Sequence, residues 1–405
     1  MNSQTFAATA GASTQSLLTT PRSAVAVVFF VLGLGLGLWS GASASILRHA
    51  GMTAPVFGLA MTLFAVVYLS AMSSGGLFSR FLTLRQLLLT LTPLLGASTA
   101  ALLLAPSIAM IFVGLVVFGF FAGLLDVTMN AEGTRVEHDL GRTILAGFHA
   151  CASCGLAVGA ILGSLIAVDL SEWASGLLAI CASFLATSIV FVATPDRGLD
   201  HANATPGEGA VLFTRTLIVI GLVVGVSIAG EVAAMTWSAS LLQDEAPRLA
   251  AIAGLGGGFF AGCQALVRFF VDRPRRVFGD RQMIVVSLGA AAIGFLIVAV
   301  NLGFAGSVVG FAIIGFGAGA VVPCGFALAV KRSAFSHSAA LSTVALFTSG
   351  PRIPAPLAMG AIAKYVSIAA AFGLFAALLA AAIVAMLVFI KPDGSYQDPS
   401  PRPSP

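Results

Sequence analysis

Residues Ser107–Gly133 read SIAMIFVGLVVFGFFAGLLDVTMNAEG, and no charged residue interrupts the stretch from Ile108 to Leu125. A run of that length and character crosses a hydrocarbon layer as a single helix. It ends on Asp126, where an acid is unexpected, because a carboxylate at the centre of a membrane helix costs roughly 2.5 to 3.5 kcal/mol on insertion scales. The stretch therefore fixes a fold class and raises a functional question at once.

The pattern recurs along the whole chain. Of 405 residues, 58% are hydrophobic and 9% charged, and the mean hydropathy is +1.02, well above what a water-soluble core requires. The composition predicts an all-α membrane protein. Apolar runs of spanning length number twelve, at 23–47, 54–77, 84–104, 107–131, 144–168, 173–194, 213–241, 249–271, 282–301, 306–330, 336–363 and 367–390. The residues before 22 are rich in Ser, Thr and Ala without a basic n-region, so 1–21 is expected to be a disordered cytoplasmic tail rather than a signal peptide. The Pro/Ser-rich segment 392–405 is expected to be a second such tail.

The net charge of +4 does not gather into a basic stripe, so nucleic acid is not an expected partner. Its distribution is informative in another way. With the N-terminus placed inside, inner segments hold sixteen Lys and Arg, and outer loops hold Arg48, Arg248 and Lys364. That bias predicts cytoplasmic termini in an inner or plasma membrane. Arg352 is left over, inside the eleventh span. The five cysteines are too few for a disulfide framework, and the C-x-x-C of Cys151 and Cys154 lies in a span without a second pair, which favours packing over zinc or redox chemistry.

The one long polar break, TPDRGLDHANATPGEGAVLFTRT, falls after the sixth span. It divides the chain into a bundle at 22–195, a cytoplasmic linker at 196–212 and a second bundle at 213–391. Internal similarity supports the division: LWSGAS and TWSAS place Trp39 and Trp237 198 residues apart, and GFFAG and GFGAG place Gly119 and Gly315 196 apart. A looser match relates GGLFSRF to VRFFVDR after the second and eighth spans. Two similar six-helix halves suit alternating access around a site near the midplane.

Four stretches carry a resemblance to a known family: GLLDVTMNAEGTRVE and GRTILAGFHACASCG in the fourth and fifth spans, EVAAMTWSASLL in the seventh, and RFFVDRPRRVFGDR after the eighth. Together they resemble the major facilitator superfamily, within it the branch related to fucose permease and to proposed rhizopine-transport membrane proteins. The resemblance implies the major facilitator fold and a secondary transporter. It implies a gating loop containing Arg268, Asp272 and Arg273. The first-half loop departs from the pattern, with Ser79 in place of Asp and Leu82 in place of Gly.

Candidate site residues follow from charge at membrane depth. Gly119, Gly123, Asp126, Asn130 and Gly133 fall within about 40° either side of one line on a helix. This narrow small and polar stripe is expected to face a watery cavity, and the competing reading has Asp126 capping or snorkelling at the cytoplasmic end. His149 in the neighbouring antiparallel span should lie at similar depth, so Asp126 and His149 are the candidates for proton coupling, against a histidine that only fixes packing. Glu231 is the other intramembrane acid. Arg352 sits in TSGPRIPAPLAMG, where Pro351, Pro354 and Pro356 must break the helix, and broken helices mark transport sites. Glu231 and Arg352 are expected to pair, directly or through solute. Asn130, Trp39 and Trp237 complete the candidate solute contacts, with interface anchoring or packing the alternative for both tryptophans.

The glycine run GLGLG in the first span follows no strand and is no nucleotide fingerprint. No nucleophile and base pair, P-loop or metal motif stands out, so neither enzymatic activity nor a cofactor or metal is expected. The expected function is proton-coupled transport of a small polar organic solute such as a sugar or cyclitol by a monomer. Export against protons, and a sensor or scaffold on a transporter fold, are the alternatives.

Overall fold

The computed structural model describes residues 20–169, 172–198, 214–333 and 336–392. The expected tails and most of the expected linker lie outside them. The described elements are helical: α1 (Pro21–His49), α2 (Ala54–Ser73), α3 (Gly75–Phe78), α4 (Leu84–Leu103), α5 (Ile108–Leu140), α6 (Leu145–Asp169) and α7 (Glu172–Ala193), then α8 (Arg215–Glu245), α9 (Leu255–Phe270), α10 (Asp272–Phe278), α11 (Asp280–Val300), α12 (Gly303–Arg332), α13 (His337–Arg352), α14 (Ala355–Tyr365) and α15 (Ile368–Phe389). A 3-10 turn at Pro247–Ile252 leads into α9. Among the described residues eleven helices are long and apolar enough to cross a membrane, and the twelfth span is the pair α13 and α14, interrupted at Ile353 and Pro354 where the proline cluster predicts a break.

Local chemistry sets the helix starts. Thr20 and Thr83 form capping boxes with Ser23 and Gln86, and the side chains of Ser107, Thr214 and Ser367 accept from the first-turn amides of α5, α8 and α15. These hydroxyls satisfy backbone donors that the helix itself cannot. The ends are less legible from hydropathy. Span four, expected to stop at 131, continues as α5 to Leu140, where Gly141 adopts a left-handed conformation at φ 59°. The polar residues of AEGTRVEHDL are tolerated by a helix leaving the apolar layer, so loss of hydrophobicity is not loss of helix. Asp126 thereby lies in the middle of its helix and not at its end.

The helices form two six-helix bundles that repeat a structural device. Arg85 at the start of α4 donates from Nε to the Thr194 carbonyl at 2.9 Å and from Nη2 to the Phe191 carbonyl at 3.0 Å. Arg281 at the start of α11 does the same to Ile390 at 2.7 Å and Leu387 at 3.3 Å, across identical sequence separations of 109 and 106 residues. In each half an arginine thus ties the third span to the last carbonyls of the sixth.

Close helix contact is made by glycine. Gly33, Gly37 and Gly41 of α1 lie against the backbone of Ala152, Leu156 and Ala160, and Gly155, Gly159 and Gly163 of α6 lie against Phe30, Leu34 and Leu38. A Cβ at any of them would collide with the opposing backbone. Helix association in lipid depends on such close approach, which accounts for the GLGLG run. Between the halves, α1 meets α8, α2 meets α14 and α6 meets α9. Gly58 and Gly360 press against the backbone of Pro356 and Ala54, and the Gly254 amide donates to Ser164 Oγ at 2.9 Å. Arg48 pairs with Asp244 at 2.9 Å and Gln243 donates to Ser45 at 3.2 Å. These contacts lie toward the end remote from the chain termini. Among the described residues α5, α12 and α13 make no comparable contact with the opposite half, so the bundles close at that remote end.

Replacing Gly37 or Gly159 by leucine is expected to cost at least about 1–3 kcal/mol through overpacking, read as a lower melting temperature of purified protein. Leucine at Gly262, which has open space around its Cα, should leave melting nearly unchanged.

Candidate functional site

The first charged cluster is built on α5. Tyr68 of α2 donates its hydroxyl to Asp126 Oδ2 at 2.8 Å, and Asn130, one turn further along α5, donates to Oδ1 and to the Asp126 carbonyl, both at 2.9 Å. The i, i+4 spacing puts Asn130 on the same face. The Arg352 guanidinium at the end of α13 lies 5.3 Å from the centre of the Tyr68 ring, a cation–π contact between the two halves. The glycines of the stripe that includes Asp126 form a packing seam: Gly119 meets Phe64, Gly123 meets the Tyr68 backbone, and Gly133 meets Leu145 and Phe148. Small residues there let α2 approach closely enough for the tyrosine hydroxyl to reach the acid. Asp126, Asn130 and Arg352 each retain partial exposure.

The second cluster is a ring. Gln264 of α9 donates to Glu231 Oε2 at 2.6 Å, and Arg268 Nη2 lies 3.5 Å from the same oxygen. Ser153 of α6 closes the ring, donating to Gln264 Oε1 at 3.1 Å and accepting from Arg268 Nη1 at 2.8 Å. Glu231 and Arg268 belong to one half and Ser153 to the other, so this cluster also crosses the interface.

Three sequence expectations change. Arg352 does not pair directly with Glu231. The direct partner is Arg268, because α9 continues to Phe270 and places Arg268 in its last turn, from which the long side chain reaches inward to α8. Arg268 is accordingly a member of the charged core and not of the loop, while Asp272 and Arg273 lie exposed on α10, with Asp272 3.9 Å from Arg275. Arg352 stays within electrostatic range of both Glu231 and Asp126. The relay between Asp126 and His149 is not assembled either. Phe148 takes the position facing Gly133, and His149, next in the helix, turns toward α1 and meets Phe29 edge-on at 5.2 Å. Its charged neighbour is Arg268.

Trp39 and Trp237 sit on the closed side and sandwich Phe57 of α2, with ring centroids 6.4 Å and 4.9 Å away. At 4% and 2% exposure they are not anchors at a lipid interface. Both indole N–H groups are buried without a hydrogen-bond partner, as are Glu231 Oε1 and Arg352 Nε. Buried polar atoms of this kind are uncommon, and each calls for an explanation. Cys151 and Cys154 are free thiols on α6.

Tyr68, Gln264 and Ser153 escape a search for charge because they carry none. Tyr68 is one of three tyrosines and stands alone in an apolar span, and Gln264 is the lone amide in GGGFFAGCQALVRFF, so ranking every hydrogen-bonding residue in the spans would have found both. Asp280 was also missed. It is buried at the start of α11, bonded to Arg275 and to Lys331 Nζ at 2.5 Å, and it fastens α10 and α12 to α11.

The family model described as Major Facilitator Superfamily matches residues 25–333. The chain belongs to the Major Facilitator Superfamily. Its relatives include an uncharacterized transporter of Sinorhizobium fredii, 28% identical over 90% of this chain and 97% of that protein. An uncharacterized MFS-type transporter of Yersinia pestis is 28% identical over 87% and 91%. The membrane protein MosC of Rhizobium meliloti is 25% identical over 85% and 84%, in accord with the branch resemblance. Among solved structures, a mutant form of the nucleoside transporter NupG superposes with a TM-score of 0.75 at 11% identity, over 92% of this chain and all of that one. The human organic anion transporter MFSD10 gives 0.60 at 15%, over 90% and 99%. These two show the shared fold. The chain is thus a multi-pass membrane transporter of the superfamily, with its two charged clusters where the family's two bundles meet.

Glu231→Gln leaves Arg268 buried without its carboxylate and is expected to cost about 3–5 kcal/mol. Glu231→Gln combined with Arg268→Gln should recover most of that loss. Thermal unfolding of the two single variants and the double checks it, and strict additivity would show that the pair is not coupled.

Proposed function

We propose that this superfamily member is a proton-coupled secondary transporter of a small polar organic solute, working by alternating access between its two bundles. The observation that carries the reading is the set of unpartnered buried atoms. Of the eight such side-chain atoms among the described residues, four belong to Trp39, Trp237, Glu231 and Arg352, all candidate solute contacts from the sequence. Three are donors and one is an acceptor, a combination that a hydroxylated solute such as a sugar or cyclitol can satisfy. Asp126 is the proton-binding acid, Asn130 orients it, and His149 belongs beside Arg268 and not in a relay. The organic solutes named for NupG and MFSD10 are compatible with this class, though at their low identity they suggest no particular substrate.

On the same reading the N-terminal bundle spans 22–195 and the C-terminal bundle 213–391, with Lys and Arg concentrated on the side of both termini, so that side is cytoplasmic and the membrane is the inner or plasma membrane. Contacts between the bundles at the opposite end then correspond to a state closed to the outside. Arg268 does not act in gating, which falls to Asp272 and Arg273 on α10. The chain acts as a monomeric transporter and not as an enzyme.

A thermal-shift screen of purified protein against sugars, cyclitols, amino acids and organic acids should find a solute that raises the melting temperature, since a ligand that binds only the folded state stabilises it. Glu231→Gln and Arg352→Gln should each abolish that shift, and the double variant should not restore it. Asp126→Asn should keep binding and lose its pH dependence, along with proton-driven uptake into proteoliposomes. Unaltered proton-driven uptake by Asp126→Asn would refute the coupling role.

A further inference from the structure

The two clusters share a device that neither acid reveals by itself. In each, the carboxylate is bound by one uncharged side chain from the second span of its own half, Tyr68 on α2 for Asp126 and Gln264 on α9 for Glu231. That same side chain also touches the opposite half. Tyr68 carries Arg352 over its ring, and Gln264 accepts from Ser153. Tyr68 and Gln264 stand 196 residues apart, the offset that relates Arg85 to Arg281. Each acid therefore has an uncharged intermediary to the opposite half, and Glu231 has a second link through Arg268, which donates to Ser153.

We infer that Tyr68 is the coupling residue of the transport cycle, transmitting the protonation of Asp126 to the contact between α2 and the opposite bundle. The inference rests on the proton-binding role of Asp126 given above. The groups facing Asp126 are Tyr68 from α2, Arg352 from α13 and Asn130 from its own helix, whereas α1, α3, α4 and α6, which also pack on α5, bring no charged group to it. The ionised carboxylate fixes the tyrosine hydroxyl and holds the guanidinium above the ring. A proton on Asp126 removes the negative charge that both respond to. The Tyr68 contact with Arg352 is then no longer favoured, and the neighbouring seam of Gly58 with Pro356 and of Gly360 with Ala54, formed by backbone apposition alone, has less to hold it. By linkage, if the closed arrangement favours the ionised acid, protons favour the arrangement in which that end is open. Tyr68 touches neither proton nor solute in this scheme and acts by position.

The test uses spin labels at Thr53→Cys and Arg248→Cys, exposed positions at the closed end of the two halves, in full-length protein with the five native cysteines replaced by alanine. Double electron–electron resonance in liposomes then reads the distance between them, with protons as the probe, as pH is lowered from about 8 to about 5. The parent should shift toward longer distances, Asp126→Asn should be long at both pH values, and Tyr68→Phe, which keeps the ring and removes only the hydroxyl, should lose the shift. A parental shift in Tyr68→Phe, with Asp126→Asn unresponsive, overturns the coupling inference and leaves the proton reading intact. A shift that persists in Asp126→Asn, or no shift in the parent, overturns both. Should Tyr68→Phe fail to purify as a monodisperse species, Arg352→Gln decides: loss of the shift supports the inference, and a parental shift overturns it.

Discussion

Charge cannot stand alone in the middle of an apolar bundle, and the arrangement of this protein follows from meeting that constraint twice. Asp126, Glu231 and Arg352 lie within spans and Arg268 reaches inward from the last turn of α9, and removing one partner of a buried pair costs several kcal/mol. Each acid is compensated within hydrogen-bonding distance, by Tyr68 and Asn130 in one case and by Gln264 and Arg268 in the other. Because Arg352 and Ser153 come from the opposite bundle, compensation of charge and apposition of the two halves are one structural event. A movement that parts the bundles must alter the surroundings of both acids.

Glycine makes such a movement feasible. Lipid tails are as apolar as leucine, so helices in a membrane gain little by burying side chains against each other and depend on close backbone approach. The seams between the halves at Gly58, Gly254 and Gly360 have this character. At these three glycines the halves meet by backbone apposition. Within the first half the seam between α1 and α6 uses six glycines, each against the backbone of the other helix. Trp39, Phe57 and Trp237 supply bulk where the glycines do not, filling the closed end with three rings.

The fold was legible because spanning length and hydrophobicity are properties of single segments, and the prolines around Arg352 announced a break that the chain makes at Ile353 and Pro354. What failed concerned relations between segments. Periodicity put Gly119, Gly123 and Asp126 on one face, but it does not say what that face meets, and α2 rather than water lies against the glycines. Hydropathy ended the fourth span at 131 because it measures the membrane and not the helix, which continues to Leu140. The family resemblance places Arg268 in the gating loop, although the expected eighth span, 249–271, already contains it. Pairing Glu231 with Arg352 followed from the scarcity of charge, whereas the pairing observed depends on side-chain reach from the end of α9. The uncharged intermediaries were invisible to any argument that counted charges.

The duplication makes the placement of the charges instructive. At the repeat offset of 196, Asp126 corresponds to Val322, Glu231 to Gly35 and Arg352 to Leu156. Val322 packs against the apolar core, and a side chain at Gly35 would meet Thr99 Oγ1 at 3.0 Å, so neither counterpart has a comparable function. The scaffold is nearly two-fold, as the paired clamps of Arg85 and Arg281 show, and yet the chemistry is not. One acid stands on the fourth span of its half and the other on the first span of the other half. A symmetric frame gives two similar bodies that can rock against each other, and asymmetric charges give the two acids different neighbours. Under the proposed function that difference lets one acid bind the proton and the other bind the solute. Arg352, within range of both, is placed to respond to each, and its position at the end of α13, beside the break in the eleventh span, gives it more freedom than a mid-helix residue would have.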